Sequence, residues 1–311
     1  MSDEKSSPSF FLVRRFILIG LSVALGVGLC VHVIAKAEIS TEDWRALALS
    51  FSLFWSVVVF LLSHAMMVTG ARKWELLSRA LHPVPQGEPE HRFYLRHYLW
   101  QNWIGQFVPS SFAIILGRGW ASRHLPRSMQ KKKARPFLSG VWSGLLDQAL
   151  EFFILLGFLG GSVWVLFFNG NVIDFFLGAV AGLAAQLLFF FLVRRWLPQN
   201  YQEIYWPVIG LSFVRVGLML TRLIAGVKAS GVFLSTLKVA AIASPISVLS
   251  IVPLTPGNVG VVEWGWQASL VWAGEGIVAA TLYAAFFRVL ILVVQSVLLG
   301  LNEAYVAYTK N

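Results

Sequence analysis

Glu263 and Arg288 stand out first, because each is an ionisable residue near or inside a long apolar stretch of a 311-residue chain. Arg118, Asp147, Glu151, Arg215 and Arg222 share that setting. Charged groups at membrane depth are costly, so they pair with one another or line a polar cavity. Asp147 and Glu151 are four apart and fall on one helix face. Glu263 with Arg288 is one pairing the residue types allow and Asp147 with Arg118 is another, and the sequence does not choose among them. The residue types leave open whether each pair is structural or handles a charged ligand. Arg215 and Arg222 are seven apart on one face, and snorkelling to the interface is an alternative to facing a cavity.

Two breaks interrupt the apolar segments around these charges. The second is Pro253-Leu254-Thr255-Pro256-Gly257-Asn258-Val259-Gly260-Val261-Val262-Glu263. Two prolines and two glycines cannot all sit in a regular helix interior. In lipid, the freed backbone groups need partners in protein or in a water-lined cavity. The first break is Pro109-Ser110-Ser111. A short helix is expected to start at each break, capped by Ser110 or Ser111 in the first and by Asn258 in the second. Gly257 and Gly260 would let backbone approach a ligand. Helix N-termini carry free N–H groups and partial positive charge, so two that face each other suit an anionic phosphate. The alternative is that these prolines and glycines only permit a kink or tight packing.

Other chemistries find little support. There is no P-loop. His91 and His97 are six apart, a poor spacing for metal ligands, and no Cys–His cluster accompanies them. Ser110 and Ser111 lack a neighbouring His–Asp pattern for nucleophilic catalysis. The expectation is therefore a protein that is not an enzyme and uses no cofactor or metal. Cys30 is the one cysteine, which excludes an internal disulfide.

The elements that must position these residues are membrane spans. The chain is 57% hydrophobic and only 13% charged, leaving room for six to eight passes and no soluble domain. Its net charge of +10 fits basic loops against anionic headgroups better than nucleic acid. The thirteen Trp residues suit interface belts. Residues 1–15 read as a cytoplasmic tail and Phe16–Ala35 as a retained anchor. Further spans are expected at Leu47–Val68, Phe137–Phe168, Ile173–Val193, Val208–Val227 and Gly276–Gly300. Arg72, Lys73 and Arg79 follow the second span and suit the cytoplasm. Asn169-Gly170-Asn171 reads as a turn, and Trp196–Pro207 as an interfacial stretch. Phe93–Val108 is too short to span, and the basic run from Arg118 to Arg135 follows it. A re-entrant hairpin keeps both flanking basic clusters inside; a single crossing is the alternative. Gly231–Val252 and Val261–Ala273 form a second hairpin from the other side.

The predicted fold is all-α, a polytopic bundle of about six full spans plus two re-entrant broken hairpins in an inverted-repeat arrangement. Eight plain spans with kinks are the alternative. One transmembrane domain covers 16–300, with approximate halves 16–195 and 196–300, followed by a cytoplasmic tail at 301–311.

The second break, followed by Gly274 and Arg288, resembles the signature of the lysylphosphatidylglycerol synthase transmembrane family, also called flippase-like or UPF0104. Asn102, Pro109-Ser110-Ser111 and Arg118-Gly119-Trp120 resemble that family's first motif, and Asp147 matches the Asp of its next helix. Two departures stand out. Ala113-Ile114-Ile115 replaces the family's glycine and acid, and Ser143-Gly144 replaces its Glu-Arg. The resemblance implies translocation of an anionic phospholipid or lipid-linked glycan between leaflets of a bacterial inner membrane, with both termini cytoplasmic. It does not carry over the aminoacyl-transferase domain to which this membrane unit is often fused. The substrate-binding residues expected are Pro109, Ser110, Ser111, Arg118, Asp147, Pro256, Gly257, Asn258, Gly260, Glu263 and Arg288. The alternative is a non-transporting partner that presents a lipid to a separate envelope-lipid or polysaccharide enzyme.

Overall fold

Lipid offers no hydrogen bonds, so an apolar chain must satisfy its backbone internally, and helices do this segment by segment. The computed structural model describes residues 28–29, 31–32, 34–81, 91–108, 110–124, 136–196, 199–232, 234–251 and 255–309. Among these there is helix and turn but no strand. The anchor expected at Phe16–Ala35, Cys30, the proline-rich loop after His82, Pro109, Pro253, Leu254 and most of the basic run before Arg135 lie largely or wholly outside the described residues.

Among the described residues, helical residues at 34–37 precede ten helices. They are α1 (Thr41–Ser50), α2 (Leu53–Leu81), α3 (His91–Ile104), α4 (Ser110–Ser122), α5 (Pro136–Phe167), α6 (Val172–Val193), α7 (Gln199–Ala229), α8 (Thr236–Ile251), α9 (Val261–Trp272) and α10 (Ile277–Tyr308). Five of them, α2, α5, α6, α7 and α10, are long and apolar enough to cross a membrane. The other four after α1 have 14, 13, 16 and 12 residues. At 1.5 Å per residue they reach about 18–24 Å, short of a hydrocarbon core of about 30 Å. The outer faces are apolar: on α6, Phe176, Val180, Leu188 and Leu192 are all more than half exposed. Such a belt would be an aggregation hazard in water and is ordinary against lipid. The protein is a helical membrane bundle.

Several expected boundaries move. The second span begins at Leu53, after a break at Phe51–Ser52, and runs on through Arg72, Lys73 and Arg79. Those charges do not end the helix at the membrane edge, because Lys73 and Glu75 are buried with partners inside the protein. Helix α4 runs into the start of the basic stretch and takes in Arg118, which is fully buried. The stretch Trp196–Pro207 is not a wet interface throughout. Helix α7 starts at Gln199, and Tyr201 and Tyr205 pack into the core with Phe190 and Leu150. Tyr205 stacks on Phe190 at 3.6 Å and donates to the Gln186 carbonyl at 2.9 Å. The expected tail after Gly300 is helical to Tyr308, and Glu303 there takes a two-pronged ion pair from Arg96 of α3 at 2.8 and 2.7 Å. The turn at Asn169–Asn171 is present, with Asn171 and Asp174 forming a capping box on α6.

The helices repeat as a set. Long, half, half, long describes both α2–α5 and α7–α10, with α6 between. Neighbours repeat as well. The contacts α2–α3, α3–α4, α4–α5 and α2–α5 recur as α7–α8, α8–α9, α9–α10 and α7–α10. Across the halves the pairing is reciprocal: α5 meets α8 as α10 meets α3, and α2 packs along α7 at the centre. The repeat boundaries are thus 53–167 and 199–308, rather than a simple division at 195.

Helix α6 is held to α5 by glycines on facing ridges, an arrangement that lets membrane helices approach closely. A Cβ on Gly157 would lie 2.4 Å from the Gly178 carbonyl, and one on Gly178 would lie 2.3 Å from the Gly157 carbonyl. Gly160 faces open space. Gly157→Leu is therefore expected to cost about 1–3 kcal/mol by overpacking, seen as a lowered melting temperature in detergent, while Gly160→Leu leaves it unchanged.

Candidate functional site

The two breaks meet. The first, expected at Pro109-Ser110-Ser111, begins earlier as a turn over residues 105–108 after α3, with Ser110 and Ser111 already helical, and the second contains a short 3-10 turn at Pro256–Asn258. Gly257 has φ +60°, and a Cβ there would sit 2.1 Å from the Gln106 carbonyl oxygen. Only glycine fits both demands. The close approach expected of Gly257 is thus to the other break's backbone. Gly260, at φ +81°, turns the chain into α9.

The expected caps differ from those observed. Ser110 is already in α4, and its hydroxyl donates to the Ser250 carbonyl at 3.3 Å. Asn258 also donates its side-chain N–H to Ser250. Neither side chain caps its own helix. Both instead satisfy a carbonyl freed at the end of α8. Asn258 stands two residues before Gly260 and has φ +53°, which turns its side chain back toward α8. Gly260 takes the position before α9, and Glu263 reaches back to accept its N–H at 2.7 Å. Ser111 is buried on the first turn of α4. Of Pro256 only the backbone is described, at the start of the short turn.

Both expected ion pairs form. Arg288 Nε lies 2.8 Å from Glu263 Oε1. Its Nη2 donates to the Gly257 carbonyl at 2.8 Å, and Nη1 reaches Gln106 Oε1 at 3.5 Å. One guanidinium therefore ties α10 to α9 and to both breaks. Arg118 pairs with Asp147. Its guanidinium also sits 5.4 Å from the Trp74 ring and 5.9 Å from that of Tyr98.

The structure adds residues that sequence reading placed elsewhere. Lys73, expected at the cytoplasmic rim, is fully buried and bridges Asp147 and Glu151. Arg215 does not snorkel; it pairs with Glu151 from α7. The order of contacts is Arg118, Asp147, Lys73, Glu151, Arg215, joining α4, α5, α2 and α7. Tyr98 of α3 lies between the two arginines, 5.8 Å from Arg215. Gly70 makes room for that ring, since a Cβ there would meet it at 2.4 Å. Glu151 lies 15 residues from the start of α5 and 16 from its end, so this chain of charges sits at mid-bundle. The spacing of Asp147 and Glu151 was visible in sequence; Lys73 carried no signal of burial beyond its neighbours Gly70 and Trp74.

Between the breaks and these charges lies a cavity of about 220 Å³. Gln106, Ser250, Asn258, Glu263 and Arg288 line it from the breaks and α10, and Glu151, Arg215 and Arg222 from the long helices. With Lys73, Arg118 and Asp147 just behind, five bases meet three acids, a local excess of two positive charges. Trp266 and Phe287 close an apolar side. A second groove on α5 and α6 is larger but apolar, and its one carboxylate, Asp174, is committed to capping. Among the described residues no cluster of three or more His, Cys, Asp or Glu could hold a metal.

Fold and site together define a helical membrane protein with two broken helix pairs around a cationic internal cavity. Comparison with family models, with curated proteins and with solved structures gave no match of any kind.

Removing one member of a buried pair leaves an uncompensated charge, at a cost of about 3–5 kcal/mol. Asp147→Asn is therefore expected to destabilise the protein strongly, because it takes from buried Arg118 the carboxylate it is paired with. Arg118→Met with Asp147→Asn should recover at least about 1 kcal/mol relative to additivity, because contacting residues couple. Denaturation of the four proteins in detergent checks the cycle; strict additivity would contradict the pairing.

Proposed function

We propose that this chain is a flippase-like lipid transporter of a bacterial inner membrane, similar in kind to the lysylphosphatidylglycerol synthase transmembrane family that its breaks resemble. The observation that carries this reading is the cationic cavity between two meeting helix breaks, halfway along a bundle built as two like halves. In this reading the two broken pairs are re-entrant, one from each side, and the halves are inverted across the membrane. An anionic headgroup enters the cavity while its acyl chains remain in lipid. At about 220 Å³ the cavity is below the roughly 300–1,000 Å³ of pockets that enclose whole small ligands, which suits a headgroup.

The chemistry asked of the protein is binding and exposure, not bond breaking. Arg288 attracts the headgroup and, through Gly257 and Gln106, senses both breaks. Exchange of its bonds between Glu263 and a bound anion would loosen the contact between the hairpins and let the other side open. Exposed basic groups such as Arg123 gather anionic lipid, each worth about 1 kcal/mol near the surface.

The test is transport of fluorescent phosphatidylglycerol in proteoliposomes, read by quenching of the outer leaflet. Glu263→Gln and Arg288→Gln, checked for an intact, monodisperse fold, are expected to slow flipping at least about tenfold, as loss of one charge-assisted contact would. Wild-type flipping rates in both variants would overturn the proposal. Tight lipid binding with no flipping by the wild-type protein would favour a partner that presents lipid to a separate enzyme.

A further inference from the structure

The two halves share a register that reaches single residues. Adding 149 carries the buried positions of α2 onto those of α7: Ser63 onto Ser212, Met67 onto Val216, Ala71 onto Leu220 and Trp74 onto Leu223, while Arg72 and Thr221 are both exposed. The same register sets Arg222 where the first half has Lys73. In α5 and α10, Asp147 and Arg288 are each the twelfth residue, and Leu292 stands where α5 has Glu151.

The first half is therefore complete and the second is not. Lys73 has two carboxylates, Asp147 and Glu151. Arg222 has an arginine and a leucine at the matching positions. No hydrogen bond or ion pair joins Arg222 to any described residue, and its Nε is buried without a partner. It lines the cavity. Two acceptors are stranded on the same cavity wall. Asn258 is 3% exposed and Gln295 is 6% exposed, and their side-chain oxygens are buried and unbonded. The Asn258 amide N–H is already committed to Ser250, so its oxygen is what it offers. Buried polar groups are rarely left unpaired, and a cation with two acceptors calls for an anion that also brings donors.

We infer that Arg222 holds the ligand's anion once Arg288 has attracted it, in the place the Asp147 and Glu151 carboxylates occupy in the other half. Asn258 and Gln295 then select a headgroup with hydroxyl or ammonium donors, such as phosphoglycerol, over one without, such as phosphocholine. The lipid identity rests on the transport reading above; the anion site does not.

The experiment titrates purified full-length protein with short-chain phosphatidylglycerol, short-chain phosphatidylcholine and free glycerol 1-phosphate, read by calorimetry. Phosphatidylglycerol is expected to bind at least about tenfold tighter than phosphatidylcholine, and Arg222→Gln to lose at least about tenfold in affinity. Asn258→Leu and Gln295→Met should narrow the preference for phosphatidylglycerol. Arg222→Gln is expected to keep or raise the melting temperature of the ligand-free protein, because it removes an uncompensated charge; loss of stability like that of Asp147→Asn would overturn the inference. Unchanged phosphatidylglycerol binding in Arg222→Gln would also overturn it. Glycerol 1-phosphate binding as tightly as the lipid supports the anion site and assigns it to a soluble ligand. Arg222-dependent binding without flipping ends the transport reading and leaves this inference standing. Full-rate flipping in Arg222→Gln ends this inference and leaves transport standing.

Discussion

Lys73 between Asp147 and Glu151 is the contact on which the rest of this bundle depends. An ammonium group at mid-bundle has no water to solvate it, and its burial is tolerable only if charge and hydrogen bonds meet it there. Two carboxylates one helical turn apart on α5 do so, and each carries an arginine of its own, Arg118 from α4 and Arg215 from α7. Four helices are thereby fixed at one level. Because an unpaired member would be costly, small slides of α2 against α5 or α7 against α5 are disfavoured. Packing follows suit: Gly70 admits the Tyr98 ring between the two guanidinium groups, and α3 is held in place by it.

The second half uses the same plan with the signs changed. Its helix break supplies the acid, Glu263, and its last long helix supplies the base, Arg288. In the first half the half-helix supplies the base and the long helix the acid. What differs is the cation on the first long helix of each half, satisfied at Lys73 and unsatisfied at Arg222. The cavity lies on the unsatisfied side, against both breaks. Rigid and open regions thus sit next to each other in one fold, and the break residues Gly257 and Gln106 form the seam between them.

How much of this was legible in the sequence can be argued residue by residue. The breaks were legible, because Pro and Gly act locally and no packing can restore a donor that proline lacks. The pairs Glu263–Arg288 and Arg118–Asp147 were legible as well, since lone charges in apolar helices must find opposite ones. Lys73 was not. A lysine beside Arg72 near the end of an apolar run looks like a basic rim, and only the approach of α5 makes it interior. The sequence leaves Arg215 open between interface and cavity for the same reason: its partner lies 64 residues away on another helix. Asn258 has the chemistry of an N-cap, but at positive φ its side chain bonds the Ser250 carbonyl of α8 instead. Tyr201 and Tyr205 suit a membrane interface by type; the flat face of Phe190 decides where Tyr205 goes. The internal repeat appears in burial and pairing while leaving little trace in residue identity.

The central claim is that the two breaks meet at mid-bundle and close one wall of a shared cavity. Ser110 and Ser250 touch across that seam, 3.3 Å from hydroxyl to carbonyl oxygen. The most direct test replaces Cys30 with serine, introduces Ser110→Cys with Ser250→Cys, and measures cross-linking by a short bifunctional thiol reagent in native membranes, because the contact runs from side chain to backbone and the Ser250 side chain itself turns back to Ile246. The account predicts rapid cross-linking in most molecules, with neither single-cysteine variant forming it. Two cysteines that each react with a thiol reagent yet never cross-link would contradict it.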